Sequence, residues 1–277
     1  MSSRTLANPE SLSDYRKQCH RALQWVALAA RANISPRPDA SHYSLQWDAE
    51  LGAFVTDAFD AVTSMRFGFE LEQYALCTLD GAGISDRFAL ADATNEQAGA
   101  WTNERLVASG LKEVSFADLP YALEPVAQVV SPQPARAALT AWFELANNIL
   151  QASAQRYADI KPGPSPVRCW PHHFDLATLI TLETGSPESA RSVGVGLSPG
   201  DTTFAQPYFY VNPWPPKSID APKSLPDGGH WHSESFVGAV ATAEELLACD
   251  NPGDVARTFV SESLASVVDA LEAAAGR

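Results

Sequence analysis

The chain has 277 residues, a length that fits one large domain or two small ones. Hydrophobic residues make up 45% and charged residues 19%, a composition typical of a globular protein with a sizeable core. The net charge of −14 argues against nucleic acid as a partner, because phosphate binding needs clustered Lys and Arg. There is no apolar run of about 18 residues, so we expect no membrane segment.

The cysteines indicate a reducing compartment. Cys19, Cys77, Cys169 and Cys249 are widely separated, and none has the C-x-x-C spacing of zinc or thioredoxin-like sites. Buried free thiols are therefore expected. The first residues also lack the apolar core of a signal peptide. Both observations predict a cytoplasmic protein.

In the first half, helical spacing of apolar residues predicts a helix from about Ser11 to Asn33. Apolar residues alternate with polar ones from Met65 to Leu71, which predicts a half-buried strand. Thr94 and Gln97 have the capping-box spacing that starts a helix. Shorter strands are predicted near residues 45–47, 75–79 and 88–90.

The second half follows the same order. Pro134 begins a long amphipathic helix, Thr242 and Glu245 form another capping-box pattern, and Pro252 begins the last helix. Between these helices the predicted strands cover residues 167–170, 174–182, 192–197, 207–211 and 231–240.

Each half thus contains a helix, a run of strands and another helix. Strands that follow one another, rather than alternating with helices, predict an α+β fold with antiparallel sheets flanked by helices. The repeated order suggests an internal duplication with halves at residues 1–130 and 131–277; one continuous domain is the alternative.

Four of the six histidines lie in two close pairs, and one pair suggests a metal site. On a strand, His230, His232 and Glu234 would share one face, because successive side chains point to opposite faces. Two imidazoles and one carboxylate are a common ligand set for Zn, Mn, Fe or Ni. A divalent metal is therefore one candidate cofactor, and the cofactor is otherwise unknown.

The other pair suggests a pocket for a small molecule. His173 and Asp175 would share a face of the predicted strand around Phe174, so that Asp175 could orient His173. A proline-rich loop at residues 212–229 leads into His230 and is either a lid or a stiffened surface loop. The predicted pocket comprises His172, His173, Asp175, Tyr208, Tyr210 and Trp231.

These residues are compatible with two classes of function. One is a small-molecule binding protein or enzyme, with hydrolytic or metal-assisted chemistry and a histidine as metal ligand or general base. The other is a non-catalytic protein whose histidines are structural and whose acidic surface binds a partner, or a second copy in a homo-oligomer.

Residues 165–213 also show a resemblance. Ser165-Pro-Val, Trp170 and Phe174-Asp-Leu-Ala resemble the S-P-V…W…F-D-L-A signature of a bacterial family of domains of unknown function. Residues 197–200 and 207–213 resemble two later stretches of that family. The resemblance implies a bacterial cytoplasmic protein and carries no established activity. Family members often have Gly-Ser at the position of His172-His173, so the histidine pairs would belong to a subgroup.

Overall fold

A computed structural model describes residues 5–59, 64–126, 133–186, 189–216 and 225–275. The chain forms two compact units. The N-terminal unit comprises Pro9–Thr140 and Arg168–Phe174, and the C-terminal unit comprises Met1–Asn8, Ala141–Val167 and Asp175–Arg277. The predicted duplication of residues 1–130 and 131–277 stays a prediction.

The helices start where local signals predict. In both capping boxes the threonine side chain accepts the backbone N–H of the third helical residue, Gln97 or Glu245, whose own side chain accepts the threonine N–H. Among the described residues no helix has the length and apolarity to cross a membrane. The helices are α1 Leu12–Asn33, α2 Asn95–Ala108, α3 Gln133–Arg156, α4 Ala243–Leu247 and α5 Pro252–Ala275.

The first sheet lies in the N-terminal unit and is an antiparallel meander with the strand order β1-β2-β3-β4-β5. Phe54, Phe67 and Phe69 are fully buried in its core. Its strands are β1 Gln46–Asp48, β2 Ala53–Val55, β3 Arg66–Glu70, β4 Ala75–Asp80 and β5 Gly83–Ala89.

Strand β3 is buried on both faces, so the prediction of a half-buried strand was wrong. Gly68 lies under Cys77, and a Cβ at residue 68 would come within 2.8 Å of the Cys77 Sγ. Glu70 is 3% exposed and accepts a hydrogen bond from Arg87 Nε at 2.8 Å. A glycine and an ion-paired carboxylate therefore occupy positions that alternation assigned to solvent.

The second sheet, in the C-terminal unit, has the antiparallel order β11-β12-β10-β9-β8-β6. Strand β7, Arg168–Trp170, belongs to the N-terminal unit, where Cys169 exchanges two backbone hydrogen bonds with Leu45. The other strands are β6 Gly163–Pro164, β8 Asp175–Thr181, β9 Ser192–Ser198, β10 Tyr208–Trp214, β11 His230–His232 and β12 Gly238–Thr242.

Residues 231–240 form a hairpin instead of the single strand that was predicted. Strands β11 and β12 pair antiparallel, with His230 opposite Val240 and His232 opposite Gly238. The apolar and polar pattern alone did not reveal the turn, because its stabilising contact is a side chain: His232 Nε2 accepts the backbone N–H of Ser235 at 3.2 Å.

The two faces of the second sheet differ in what they contact. One face packs against helices, with α5 on β9, β10 and β12. There the Trp142 ring lies 6.5 Å from the Phe209 ring, both residues being fully buried. The opposite face carries the tyrosines of β10 and the histidines of β11, and this is the face where the candidate site lies.

Candidate functional site

Cross-strand pairing places Tyr208, Tyr210 and His230 on one face of the second sheet. Tyr210 lies opposite Val240 on β12, and His230 lies opposite the same residue from β11. Residues directly opposite each other in antiparallel strands project to the same face. Tyr208 is two residues before Tyr210 and therefore shares that face as well.

Tyr210 reaches across β9 to β8. Its hydroxyl donates a hydrogen bond to Asp175 Oδ2 at 2.5 Å. The ring lies over Gly196, where a Cβ would come within 2.4 Å of the hydroxyl oxygen. Gly196 is therefore required for the pairing of Tyr210 with Asp175, because any side chain at that position would occupy the path of the ring.

Tyr208 has a second carboxylate as its partner. Its hydroxyl donates to Asp201 Oδ2 at 2.6 Å, while Asp201 Oδ1 accepts the backbone N–H groups of Thr203 at 2.7 Å and Phe204 at 3.1 Å. Burial and the Asp201 carboxylate raise the pKa of Tyr208 above its usual value. Tyr208 therefore stays protonated near neutral pH and serves as a fixed donor.

Aromatic rings connect the tyrosines to the histidines. The Phe204 ring centroid lies 5.0 Å from that of Tyr208, 5.3 Å from His232 and 6.1 Å from His230. Phe236 lies 4.6 Å from His232. We call this assembly the tyrosine–histidine cluster; it comprises Asp175, Asp201, Phe204, Tyr208, Tyr210, His230, His232, Phe236 and Glu245.

His230 is an oriented and accessible imidazole. Its Nδ1 lies 2.8 Å from Glu245 Oε1, and the other carboxylate oxygen accepts from the backbone N–H and the hydroxyl of Thr242, both at 2.8 Å. The His230 side chain is 41% exposed. The carboxylate favours the tautomer with the proton on Nδ1, so Nε2 can accept a proton or a hydrogen bond from a ligand.

His232, in contrast, holds the β11–β12 turn. It is 8% exposed, and its Nε2 accepts the Ser235 N–H at 3.2 Å and lies 3.0 Å from the Ser235 hydroxyl. The lone pair that a metal would use is therefore already bound to a backbone donor. This contact makes His232 a structural residue of the cluster.

The predicted shared face of His230, His232 and Glu234 does not form. Strand β11 ends at His232, and Glu234 lies exposed in the bend that follows, where side chains no longer alternate. In the parts of the chain that the structure describes, no group of three His, Cys, Asp or Glu residues could hold a metal ion. A divalent cofactor stays a prediction.

Trp231 lies apart from the predicted pocket. It alternates with His230 and His232 on β11 and lies opposite Ala239, so it projects to the helix-packed face. Residues 217–224 of the proline-rich loop lie outside the described residues, so a lid over the site stays a prediction.

His172 and His173 belong to the N-terminal unit and not to the tyrosine–histidine cluster. The prediction that His173 shares a strand face with Asp175 was wrong. Strand β8 begins only at Asp175, and Phe174 has a φ of 59°, which turns the chain. The two exposed imidazole rings lie 4.2 Å apart. Desolvation by nearby protein atoms, together with the neighbouring His173, lowers the pKa of His172.

The backbone of this turn is held by buried side chains. The Pro171 carbonyl accepts from His20 Nε2 at 2.8 Å and from Gln24 Nε2 at 2.9 Å, and the Tyr121 hydroxyl donates to Gln24 Oε1 at 2.6 Å. The His20 ring stacks on Phe174 at 5.5 Å. Burial lowers the pKa of His20 to about 4, so this imidazole is neutral at pH 7.

Sequence reasoning missed four residues of the cluster. Glu245 was recognised only as part of a capping box, and its second role as the partner of His230 depends on the β11–β12 pairing. Asp201 is followed by two threonines, a pattern typical of a side-chain-capped turn. Phe204 and Phe236 carry no local signal, since they reach the cluster from loops.

Comparison with known proteins adds no relative: no family model, no curated protein and no solved structure matches this chain.

Proposed function

We propose that this protein binds a small neutral or cationic organic molecule at the tyrosine–histidine cluster. The observation that carries the proposal is His230, an accessible imidazole oriented by Glu245 beside the Phe204 ring. Binding sites commonly combine aromatic walls with a few fixed polar groups. Here Tyr208 and Tyr210 are held by carboxylates, so the face is already organised before a ligand arrives.

The charge of the cluster selects the ligand class. Asp175, Asp201 and Glu245 contribute carboxylates, and among the described residues no Lys or Arg lies within ion-pair distance of Asp201 or Glu245. An anionic ligand would be repelled. An amine would be attracted by the carboxylates and by the faces of the aromatic rings.

Acid–base catalysis is a second candidate function, favoured by the His230–Glu245 pair. An imidazole whose Nδ1 faces a fixed carboxylate is a common form of general base. His230 would remove a proton from the bound molecule or from a water, and Glu245 would act as its positioning residue. Hydrolysis is the reaction class that this pair fits best.

Benzylamine and benzoate test the binding proposal as a pair of probes of similar shape and opposite charge. In NMR spectra of the protein, benzylamine is expected to shift the His230 imidazole resonances, and benzoate at the same concentration is not. Phe204→Ala should weaken benzylamine binding about tenfold, the loss expected for one aromatic contact wall. Tyr157→Leu, which removes an aromatic ring elsewhere in the C-terminal unit, should leave it unchanged.

Two results would overturn the proposal: His230 resonances that stay in place with benzylamine, or equal shifts with both probes. Global folding of each variant is checked by its thermal melting curve. For the catalytic candidate, His230→Gln is expected to lose ester hydrolysis while Tyr157→Leu keeps it, and unchanged hydrolysis in His230→Gln contradicts the candidate.

We also propose that the protein is cytoplasmic. None of Cys19, Cys77, Cys169 and Cys249 forms a disulfide, and the first three are buried. Cysteines outside disulfides are typical of a reducing cytoplasm. The resemblance of residues 165–213 to a bacterial family supports the same assignment.

A further inference from the structure

The N-terminal unit contains a cavity of about 440 Å³ between α1 and the start of α2. One helical face of α1 forms its wall, with Arg21, Ala22 and Trp25 at helical spacing. Tyr74 and Asn95 line the other side. The volume is within the range of pockets that hold small organic molecules.

The cavity has one charged group, a cation. Arg21 is the only charged residue among its described lining residues. Its guanidinium lies 4.8 Å from the centre of the Phe116 ring, and no carboxylate of the described residues forms an ion pair with it. Other arginines of this unit do have acidic partners: Arg16 pairs with Glu124, and Arg87 pairs with Glu70.

Arg21 forms no ion pair with a described carboxylate, and this is informative because acidic residues outnumber basic ones in the chain, 33 to 19. The pKa of the Glu96 carboxyl, at the start of α2, is lowered first by its own backbone N–H, then by the Thr94 side chain, and to a lesser extent by the charge of Arg21. Arg21 thus lies near a carboxylate without forming an ion pair with it, and no described carboxylate occupies its donors.

Neutral donors and flat apolar surface complete the lining. Asn95 Oδ1 accepts the Trp25 indole N–H at 3.2 Å, which leaves the amide NH₂ of Asn95 as a donor. The Tyr74 hydroxyl makes no hydrogen bond to another described residue. Trp25 and Tyr74 also supply aromatic surface, and Leu90, Ala98 and Val126 supply aliphatic surface.

We infer that this cavity binds a carboxylate that carries a flat apolar ring, with the carboxylate on Arg21 and the ring against Trp25 and Tyr74. A guanidinium matches a carboxylate through two parallel N–H donors, and the aromatic walls match a ring of similar size. This site is separate from the tyrosine–histidine cluster and takes a ligand of the opposite charge.

The probes are 2-naphthoate and its neutral isostere 2-naphthamide, titrated into the full-length protein by calorimetry. The wild-type protein should bind one equivalent of naphthoate more tightly than naphthamide. Arg21→Gln should weaken naphthoate binding about tenfold, as expected when a charge-assisted hydrogen bond is lost, and leave naphthamide affinity unchanged. Ala22→Phe, which fills the cavity, should abolish binding of both probes.

Lys17→Gln is the matched control, because it removes the same charge from α1 outside the cavity lining. If Lys17→Gln weakens naphthoate as much as Arg21→Gln, or if both probes bind the wild type equally, the inference is wrong. Arg21→Lys keeps the charge and should retain part of the preference for naphthoate. Thermal melting confirms that each variant is folded, and Phe204→Ala in the cluster should not affect either probe.

Discussion

The two histidine pairs differ in which part of each residue is fixed: the backbone in the first pair, and the imidazoles in the second. In the turn at residues 171–174, the buried side chains of His20 and Gln24 hold the Pro171 carbonyl, and the imidazoles of His172 and His173 stay exposed. In β11 the side chains themselves are held, His230 by Glu245 and His232 by Ser235.

This difference shows why a count of histidines is a poor guide to a site. The residue with the strongest structural role near the first pair is His20, which is distant in sequence, bonds the Pro171 carbonyl and stacks on Phe174. In the second pair, one histidine stabilises a turn and only His230 combines orientation with exposure. The chemical environment of each imidazole, and not its neighbour in sequence, decides what it can do.

The largest difference between the turn at residues 171–174 and the tyrosine–histidine cluster is expected in the free energy of unfolding on acidification. His20 has a pKa of about 4 when folded, against about 6.5 in an unfolded chain. Its contribution to stability is complete above pH 6.5 and is lost as the pH falls toward 4, because only the unfolded chain takes up the proton in that window. The free energy of unfolding should drop by about 3 kcal/mol across it.

Urea unfolding at several pH values measures this loss. In His20→Gln the additional slope between pH 6.5 and 4 should disappear, while the contributions of carboxylates such as Glu124 remain. A wild-type stability that is flat across this window would contradict the assignment of His20 as a buried neutral imidazole.

A smaller effect is expected from His20→Ala at pH 7. The substitution removes a donor to the Pro171 carbonyl and the ring that stacks on Phe174, and should destabilise the protein by about 2 kcal/mol. The double variant His172→Ala/His173→Ala removes two exposed rings and should cost less than about 0.5 kcal/mol. Equal losses for the two variants would contradict the assignment of His20 as the main anchor of the turn.

An effect smaller than that of His20→Ala is expected from Glu245→Gln. The glutamine keeps the α4 capping geometry but weakens the hold on His230 and Thr242, which should cost about 1 kcal/mol. The informative measurement is ¹⁵N NMR of the His230 ring: protonation on Nδ1 should predominate in the wild type and decline in the variant. The His232 signals serve as the internal control, and a His230 tautomer that does not respond would argue against Glu245 as its positioning residue.

Much of the fold could be predicted from the sequence, but less of the site. Helix α1 begins within one residue of the prediction, and both capping boxes form. Most predicted strands overlap observed ones, but β2 and β6 were not predicted, β5 begins five residues before its predicted start, and residues 231–240 divide into a hairpin. Of the predicted pocket, Asp175, Tyr208 and Tyr210 meet in the cluster, whereas Trp231 projects to the other face and His172 and His173 lie in the N-terminal unit.

The sequence by itself determined the features that depend on residues a few positions apart: the helix starts, the α+β class, and the alternation that places His230 and His232 on one face. Only the tertiary structure decided which carboxylate each ring meets. Tyr210 pairs with Asp175 because the β8–β9–β10 register puts Gly196 between them. Side chains 35 residues apart are joined here by strand register, which depends on the packing of the whole sheet and leaves no local pattern in the chain.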